Sequence, residues 1–567
     1  MLILIFLLLL KTAIASREPQ GLLCKLCIMT QERLLNKTYE NLSDLESFLV
    51  KTCRLYEEAP FCKYFVNRLG NILLKNRINY FLDNNYFCSH YFTFCDKNTV
   101  EYDFDQFRDQ LYEKYPKLPL KNDKIKVYKE FNILAINDIH IQTDYEHKTN
   151  KNCKDPGGCC SKHSGRTWRK EDQAGYWGSP GTLCDIPQRT FDATMAFIKN
   201  KLKRPTFIAV LGDNYGHNYF REDPNQISDI NTYVYSNLRS NFTSSYILPV
   251  LGNHECDPVD NLNIHDPNNY VYKSIFPTYK TSINNDQIRD LTMKGFYTAN
   301  FNEYGVKFIS INSQIYDAFN GYMARNSTDP LQFFTKFVEE LYESEKNQEK
   351  VIILSHIPIV DGFSIKEFGI NLRAVLGRFK DTVVAFLSGH THSDSLTFIK
   401  NEEKEVIALN YVSPSLTTFT SYNPSFRIYE FENTKLVDYI QYSADLDYYN
   451  ELAERGKFSF NYSIAYKFRE EYGLDQLDSP ESFKELEKKI LFNDNFKKRY
   501  VKNFATSEKG IDPYTTESLA ICSTLDLYDD YAKCFGDKLP AKWDWKMVLL
   551  FREAFVGKWF VKKTNDV

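Results

Sequence analysis

Histidine is scarce in this chain, ten among 567 residues, and that scarcity makes its placement informative. Cationic excess is missing too. Lys and Arg number 70 against 74 Asp and Glu, a net charge of −4, so no broad basic surface points to nucleic acid. Past the first ten residues no stretch approaches twenty apolar residues, which excludes a transmembrane mature chain. Internal repeats and low-complexity tracts are absent. What is present is ordinary for a globular protein, 43% apolar and 25% charged, with an aromatic content of 15% that a packed core absorbs. The length exceeds one ordinary core and implies two to four domains.

Residues 1–10 are almost wholly apolar, and Ala13-Ile14-Ala15 supplies a small-x-small cleavage site, so residues 1–15 are expected to be a secretory signal peptide. N-glycosylation sequons begin at Asn36, Asn41, Asn241, Asn326 and Asn461, in keeping with export. Thirteen cysteines in an exported chain imply disulfides, with Cys522 and Cys534 expected to bridge near the C-terminus.

Residues 20–97 form a unit containing Cys24, Cys27, Cys53, Cys62, Cys88 and Cys95, with apolar residues at helical spacing between them. Residues 98–125, with Pro116 and Pro119, are read as an extended linker. From 126 to 441 short β-branched runs appear at 132–136, 207–211, 246–250, 351–354 and 383–387, with amphipathic stretches such as 331–341 between them. This predicts a layered α/β fold with further strands at 406–409 and 426–429. Residues 442–567 turn charged and are read as a helical C-terminal domain.

Each of those five runs ends in a loop bearing potential metal ligands: Asp138-Ile139-His140, Gly212-Asp213-Asn214, Gly252-Asn253-His254-Glu255, Ser355-His356 and Gly389-His390-Thr391-His392. Five of the ten histidines fall in these islands, and His217 lies four residues after Asp213. Oxygen and nitrogen donors at strand C-terminal ends suit a pair of divalent metals. Asp-x-His alone is an ordinary loop pair. Gly-Asn-His-Glu and Gly-His-Thr-His are more specific because each fixes four positions. Glu255 reads as a structural loop residue, and His90, His147, His163 and His265 as surface or satisfied histidines.

In this order the islands resemble the calcineurin-like metallophosphoesterase family. The resemblance implies that Asp138, His140 and His392 hold one metal, that Asn253, His356 and His390 hold the second, and that Asp213 bridges them. It implies two Zn2+ per chain, although the ligand types also allow manganese or iron. A metal-bridging hydroxide would attack phosphorus, and His254, assisted by His217, would protonate the leaving alkoxide. The tyrosine that purple acid phosphatases carry three residues after the bridging aspartate is here Gly216, which argues against an iron–tyrosinate centre. The spacing of the six N-terminal cysteines resembles the saposin B-type domain. That family's nested bridges would give Cys24–Cys95, Cys27–Cys88 and Cys53–Cys62 in a small all-α unit that handles lipid, or in a stapled helical unit with no lipid role.

The whole arrangement is similar to the acid sphingomyelinase family. The likeness includes Cys153-Lys-Asp-Pro-Gly-Gly-Cys159-Cys160, Ala174-Gly-Tyr-Trp-Gly178, Cys184-Asp-Ile-Pro187, Asn326-Ser-Thr-Asp-Pro330 and Tyr422-Asn-Pro-Ser-Phe-Arg427. It implies bridges Cys153–Cys159 and Cys160–Cys184. Cys256 is left over, either an inert buried thiol or a redox-sensitive position. The expected activity is zinc-dependent hydrolysis of sphingomyelin, in membranes or lipoproteins, to ceramide and phosphocholine. The expected protein is a secreted or lysosomal monomer touching membranes peripherally through residues 20–97. The alternatives are a secreted phosphodiesterase for nucleotides or other soluble diesters, and a non-catalytic lipid-binding protein, against which the intact ligands and His254 argue.

Overall fold

The computed structural model describes residues 104–119, 127–153, 157–220, 223–323, 329–359, 363–401, 404–419, 422–477 and 479–506, with a short stretch at 59–70 and isolated positions near 50–54, 72 and 517–524. The seven runs read from the sequence are strands, and the described residues hold twelve in all: β1 (Phe131–Ile136), β2 (Phe207–Val210), β3 (Tyr246–Pro249), β4 (Phe296–Phe301), β5 (Val306–Ile311), β6 (Lys350–Leu354), β7 (Val383–Ser388), β8 (Ser395–Lys400), β9 (Val406–Val412), β10 (Ser425–Glu432), β11 (Lys435–Ser443) and β12 (Ser463–Lys467). They form two six-stranded sheets, in the orders β12-β11-β10-β1-β2-β3 and β4-β5-β6-β7-β9-β8.

In the first sheet β1, β2 and β3 are parallel, and β10 to β12 extend it antiparallel. In the second, β5, β6, β7 and β9 are parallel between antiparallel edges β4 and β8. The central parallel strands are buried on both faces, as continuous apolar runs such as Phe207-Ile208-Ala209-Val210 require. The sheets face each other across one core: Phe207 on β2 meets Phe308 on β5 at 4.8 Å, and Tyr429 on β10 meets Tyr411 on β9 at 6.0 Å. Helices Phe333–Lys346 and Lys366–Arg378 pack on β6 and β9.

Two boundaries differ from the sequence reading. Residues 98–125 are not an extended connection throughout, because a helix spans Phe104–Lys114. Phe107, Leu111 and Tyr115 recur at four-residue spacing and turn one face onto the core, and the helix ends before Pro116, whose ring disfavours helical backbone at the preceding residue. The sandwich does not end at residue 441 either. β11 runs to Ser443, and β12, from inside the region read as helical, is the edge strand of the first sheet. Helices Pro480–Phe492 and Asp494–Ala505 follow, with the first packed on β9.

The signal peptide and most of residues 20–97 lie outside the described residues, including Cys24, Cys27, Cys53, Cys88 and Cys95, as do Cys534 and the sequons at Asn36, Asn41 and Asn326. Cys62 and Cys522 are disulfide-bonded. Tyr64 and Arg68 touch the catalytic core: Val259 N donates to the Tyr64 hydroxyl at 3.2 Å, and Arg68 pairs with Asp257 at 2.7 Å. Asn461 is exposed, whereas the Asn241 amide, half-buried, bonds to Asn237. No described helix is long and apolar enough to cross a membrane.

Candidate metal centre and catalytic site

All five islands sit at the C-terminal ends of parallel strands: β1, β2 and β3 of the first sheet, β6 and β7 of the second. Backbone pairing continues beyond the strands and fixes the loops against each other. Asp138 N donates to Gly212 O at 3.0 Å, His140 N to Asp213 O at 3.0 Å, and Gly389 N to His356 O at 2.9 Å. The turns are tight. Asp138, His140, Asp213, His390 and His392 all have positive φ, an uncommon conformation for residues with a Cβ that is held at functional sites by the surrounding structure. Gly212 and Gly252 let two of the loops touch. A Cβ on Gly212 would lie 2.7 Å from Gly252 Cα, and one on Gly252 2.2 Å from Asp213 Oδ1.

The side chains converge. Asp213 Oδ2 lies between two sets of donors, 3.4 Å from His140 Nε2 and 3.2 Å from His356 Nε2. On one side His140 Nε2 is 3.1 Å from His392 Nε2, and Asp138 Oδ1 is 3.5 Å from His392 Nε2. On the other, Asn253 Oδ1 is 2.8 Å from His356 Nε2 and 3.0 Å from His390 Nδ1. The groups His140–His217–His392, His140–Asp213–His254 and Asp213–His356–His390 each bring donor atoms within 4.8 Å of one another.

The far ring nitrogens are tied to backbone carbonyls: His140 Nδ1 to Tyr215 O at 2.8 Å and His356 Nδ1 to Leu211 O at 2.7 Å. In the neutral ring, with the proton donated there, each Nε2 is left as a donor atom for a metal. In the metal-free chain a proton on His356 facing Asp213 takes that place, and a divalent cation would take it when bound. Asp138, Asp185, Asp213 and Glu255 are buried and Asp260 is half-buried, and their hydrogen-bond and ion-pair partners among the described residues are backbone N–H groups, amides, Thr417 and histidines, with no Lys or Arg. Burial pushes Asp138 and Glu255 up to about 7 and His254 down to about 4. The donor set and the uncompensated negative charge fit divalent metal.

His254 and His217 stand beside this centre, with ring centroids 4.5 Å and 4.2 Å from His140 and 4.4 Å from each other. His254 Nδ1 is buried without a hydrogen-bond partner in the protein. His217 stacks on Phe419 at 3.6 Å and its Nδ1 faces Asp185 at 3.0 Å. Glu255 is structural: it accepts from the backbone N of Gly252, Asp213 and Asn214 at 2.8–2.9 Å.

Sequence reasoning missed two acids. Asp185 takes His217 Nδ1 and backbone N together with the Thr417 hydroxyl, and Asp260 accepts the Asn253 amide at 2.7 Å, leaving Asn253 Oδ1 turned to the centre. The bridges Cys153–Cys159 and Cys160–Cys184 are both present and pin the insert that ends at Asp185. Cys256 is free and buried, and burial pushes its thiol well up, the direction of an inert group.

Residues 131–394 match the calcineurin-like phosphoesterase family. The chain is 30% identical to sphingomyelin phosphodiesterase 1 of Caenorhabditis elegans over 67% of each chain. It is 25% identical to sphingomyelin phosphodiesterase 2 of the same organism over 93% of this chain and 90% of the relative. It is 26% identical to the human cyclic GMP-AMP phosphodiesterase SMPDL3A over 70% of this chain and 88% of that protein. With its two-sheet fold and convergent Asp, Asn and His donors, the chain belongs to the sphingomyelin phosphodiesterase family of calcineurin-like phosphoesterases and is a phosphodiesterase.

Proposed function

We propose that this chain hydrolyses sphingomyelin to ceramide and phosphocholine with two Zn2+. The observation that carries the reading is the reach of the likeness: similarity to a sphingomyelin phosphodiesterase extends over 93% of the chain, well past residues 131–394. Asp138, His140 and His392 would hold one ion, Asn253, His356 and His390 the other, and Asp213 both. When bound, the two cations supply positive charge at the phosphodiester and lower the pKa of the attacking water. The remaining work falls to the chain. His254, with its free Nδ1, is placed to carry a proton to the departing ceramide oxygen. His217, held by Asp185 and Phe419, bounds the same space. In this reading residues 20–97 are a saposin B-type unit that meets the membrane, and the protein is a glycosylated monomer, secreted or lysosomal.

The 26% likeness to a cyclic GMP-AMP phosphodiesterase favours a second reading, a phosphodiesterase for nucleotides. One comparison separates them. Turnover of sphingomyelin in vesicles, of ATP and of a soluble aryl phosphodiester is measured with the full chain, with the chain after chelation and zinc re-addition, and with His254→Ala. Sphingomyelin hydrolysis that disappears on chelation, returns with zinc and falls in His254→Ala is the expected result. Cleavage of the soluble diesters with sphingomyelin untouched overturns the lipid reading and leaves the second.

A further inference from the structure

The disulfide-bound insert between β1 and β2 presents a feature the active site does not use. Residues 161–172 contain Lys162, Arg166, Arg169 and Lys170 against two acids, Glu171 and Asp172. All four cations are exposed, and among them stands Trp168, 100% exposed. Arg166 pairs with Glu146 at 3.3 Å, between side chains 80% and 43% exposed. Phe458 adds a second outward aromatic, 58% exposed, beside Tyr176 at 4.8 Å. Glu454, just before it in the chain, pairs with Lys148 at 3.0 Å and lies 2.8 Å from His147 Nε2, both on the insert.

The turn is rigidly joined to the active site. Thr149 bridges Arg166, Asn150 bridges Gln173, and Cys160 N donates to Asn150 O at 3.1 Å. Cys160 is bonded to Cys184, next to Asp185. At its other end the insert presses on His217: a Cβ on Gly157 would lie 2.4 Å from His217 Cβ. A large indole held wholly in water is unfavourable, and its apolar body with one N–H suits the boundary between headgroups and acyl chains. Four exposed cations against Glu171 and Asp172 leave this turn net positive, which complements anionic headgroups.

We propose that this basic turn tipped by Trp168 is a membrane-contact surface on the catalytic domain itself, which seats in a bilayer carrying anionic lipid and holds the wall of the active site against it. The inference rests on the reading of the substrate as a membrane lipid, and it adds a contact separate from residues 20–97. The test uses the full chain and vesicles of phosphatidylcholine and sphingomyelin, with and without phosphatidylserine. Binding is measured by flotation, beside turnover of vesicle sphingomyelin and of a soluble aryl phosphodiester, for wild type, Trp168→Ala, a variant with Lys162, Arg166, Arg169 and Lys170 all changed to Gln, and Phe492→Ala. Phe492 is 79% exposed in the C-terminal region and serves as the control for losing any outward aromatic.

Trp168→Ala is expected to weaken binding to the anionic vesicles by roughly tenfold, the change that burying part of one large aromatic supplies. The Gln variant should lose the dependence on phosphatidylserine and salt. Vesicle turnover should fall with binding, while the soluble diester is cleaved as by wild type, which shows the variants folded. Phe492→Ala should match wild type. Equal binding by all four proteins, or no binding by wild type, overturns the proposal. Trp168-dependent binding without sphingomyelin cleavage leaves the surface standing and removes the substrate reading. Cleavage with binding indifferent to Trp168 does the reverse.

Discussion

Asp185 and Asp260 act through histidine and asparagine neighbours. Asp185 Oδ1 and Oδ2 lie 3.0 and 3.1 Å from His217 Nδ1, which fixes the ring and selects the nitrogen left to face the pocket. Asp185→Ala should lower kcat on the order of 10²-fold, the scale of a positioned proton-transfer group, with bound metal unchanged by elemental analysis. Loss of metal along with kcat would mean that Asp185 supports the ligand shell instead. Asp260 holds the nitrogen end of the Asn253 amide at 2.7 Å, so Asp260→Ala should weaken metal retention roughly 10- to 100-fold in a chelator competition. Unchanged retention there would show that Asn253 needs no such partner. These two acids were illegible in the sequence for a physical reason. Asp138 and His140 announce each other because both stand on one loop. Asp185 meets His217 only after the chain has run through a strand and a helix, and nothing local to Asp260 tells which way its carboxylate turns.

At the scale of elements, the loop carrying His390 and His392 is clamped from the far end of the chain. Arg427 on β10 is wholly buried and pairs with Asp394 at 2.5 Å, and the Tyr466 hydroxyl on β12 donates to the other Asp394 oxygen at 2.5 Å. Arg427 also donates to Gln441 on β11 at 2.8 Å and lies 4.0 Å from the centre of the Tyr439 ring. Removing one partner of a buried pair leaves the other charge uncompensated, so Arg427→Ala should cost about 3–5 kcal/mol in denaturant unfolding. A loss under about 1 kcal/mol would show that Asp394 is not charged in the folded chain. The strands β1, β2, β3, β6, β7, β9 and β10 were readable in advance as short apolar runs, most of them parallel and buried on both faces, whereas β4, β5, β8 and β11 were not read. Nor was β12, because an edge strand with pattern Ser463-Ile464-Ala465-Tyr466-Lys467 buries only Tyr466 and is dictated by β11 beside it. The helix Phe104–Lys114 was obscured by the prolines that follow it, which end a helix as readily as they extend a linker.

For the whole molecule, the site is a charge problem that folding alone leaves unsolved. Burial lifts Asp138, Asp185, Glu255 and Asp260 to about 7. Burial opposes a charged His356, yet Asp213 and Asp138 raise it to about 10, while burial takes His217 and His392 down to about 3 and His254 to about 4. The unfolded chain titrates its carboxylates near 4 and its histidines near 6.5. A raised carboxylate therefore removes stability as pH climbs from about 4 through 7, because the folded chain keeps a proton that the unfolded chain has released. The depressed histidines work the other way, but only below about 6.5, where the unfolded chain takes up protons that the folded one refuses. Above about 6.5 they are neutral in both states. The carboxylates and His356 then act alone, and the metal-free chain should lose stability steadily as pH rises. Divalent cations reverse this, since they favour ionised carboxylates and neutral imidazoles and bind more tightly as those groups deprotonate. Thermal unfolding of chelated and zinc-reloaded protein from about pH 6.5 upward should give two diverging curves, Tm falling for the first and held for the second. Parallel curves would mean that the buried carboxylates are compensated within the chain and that the cluster was not built around metal.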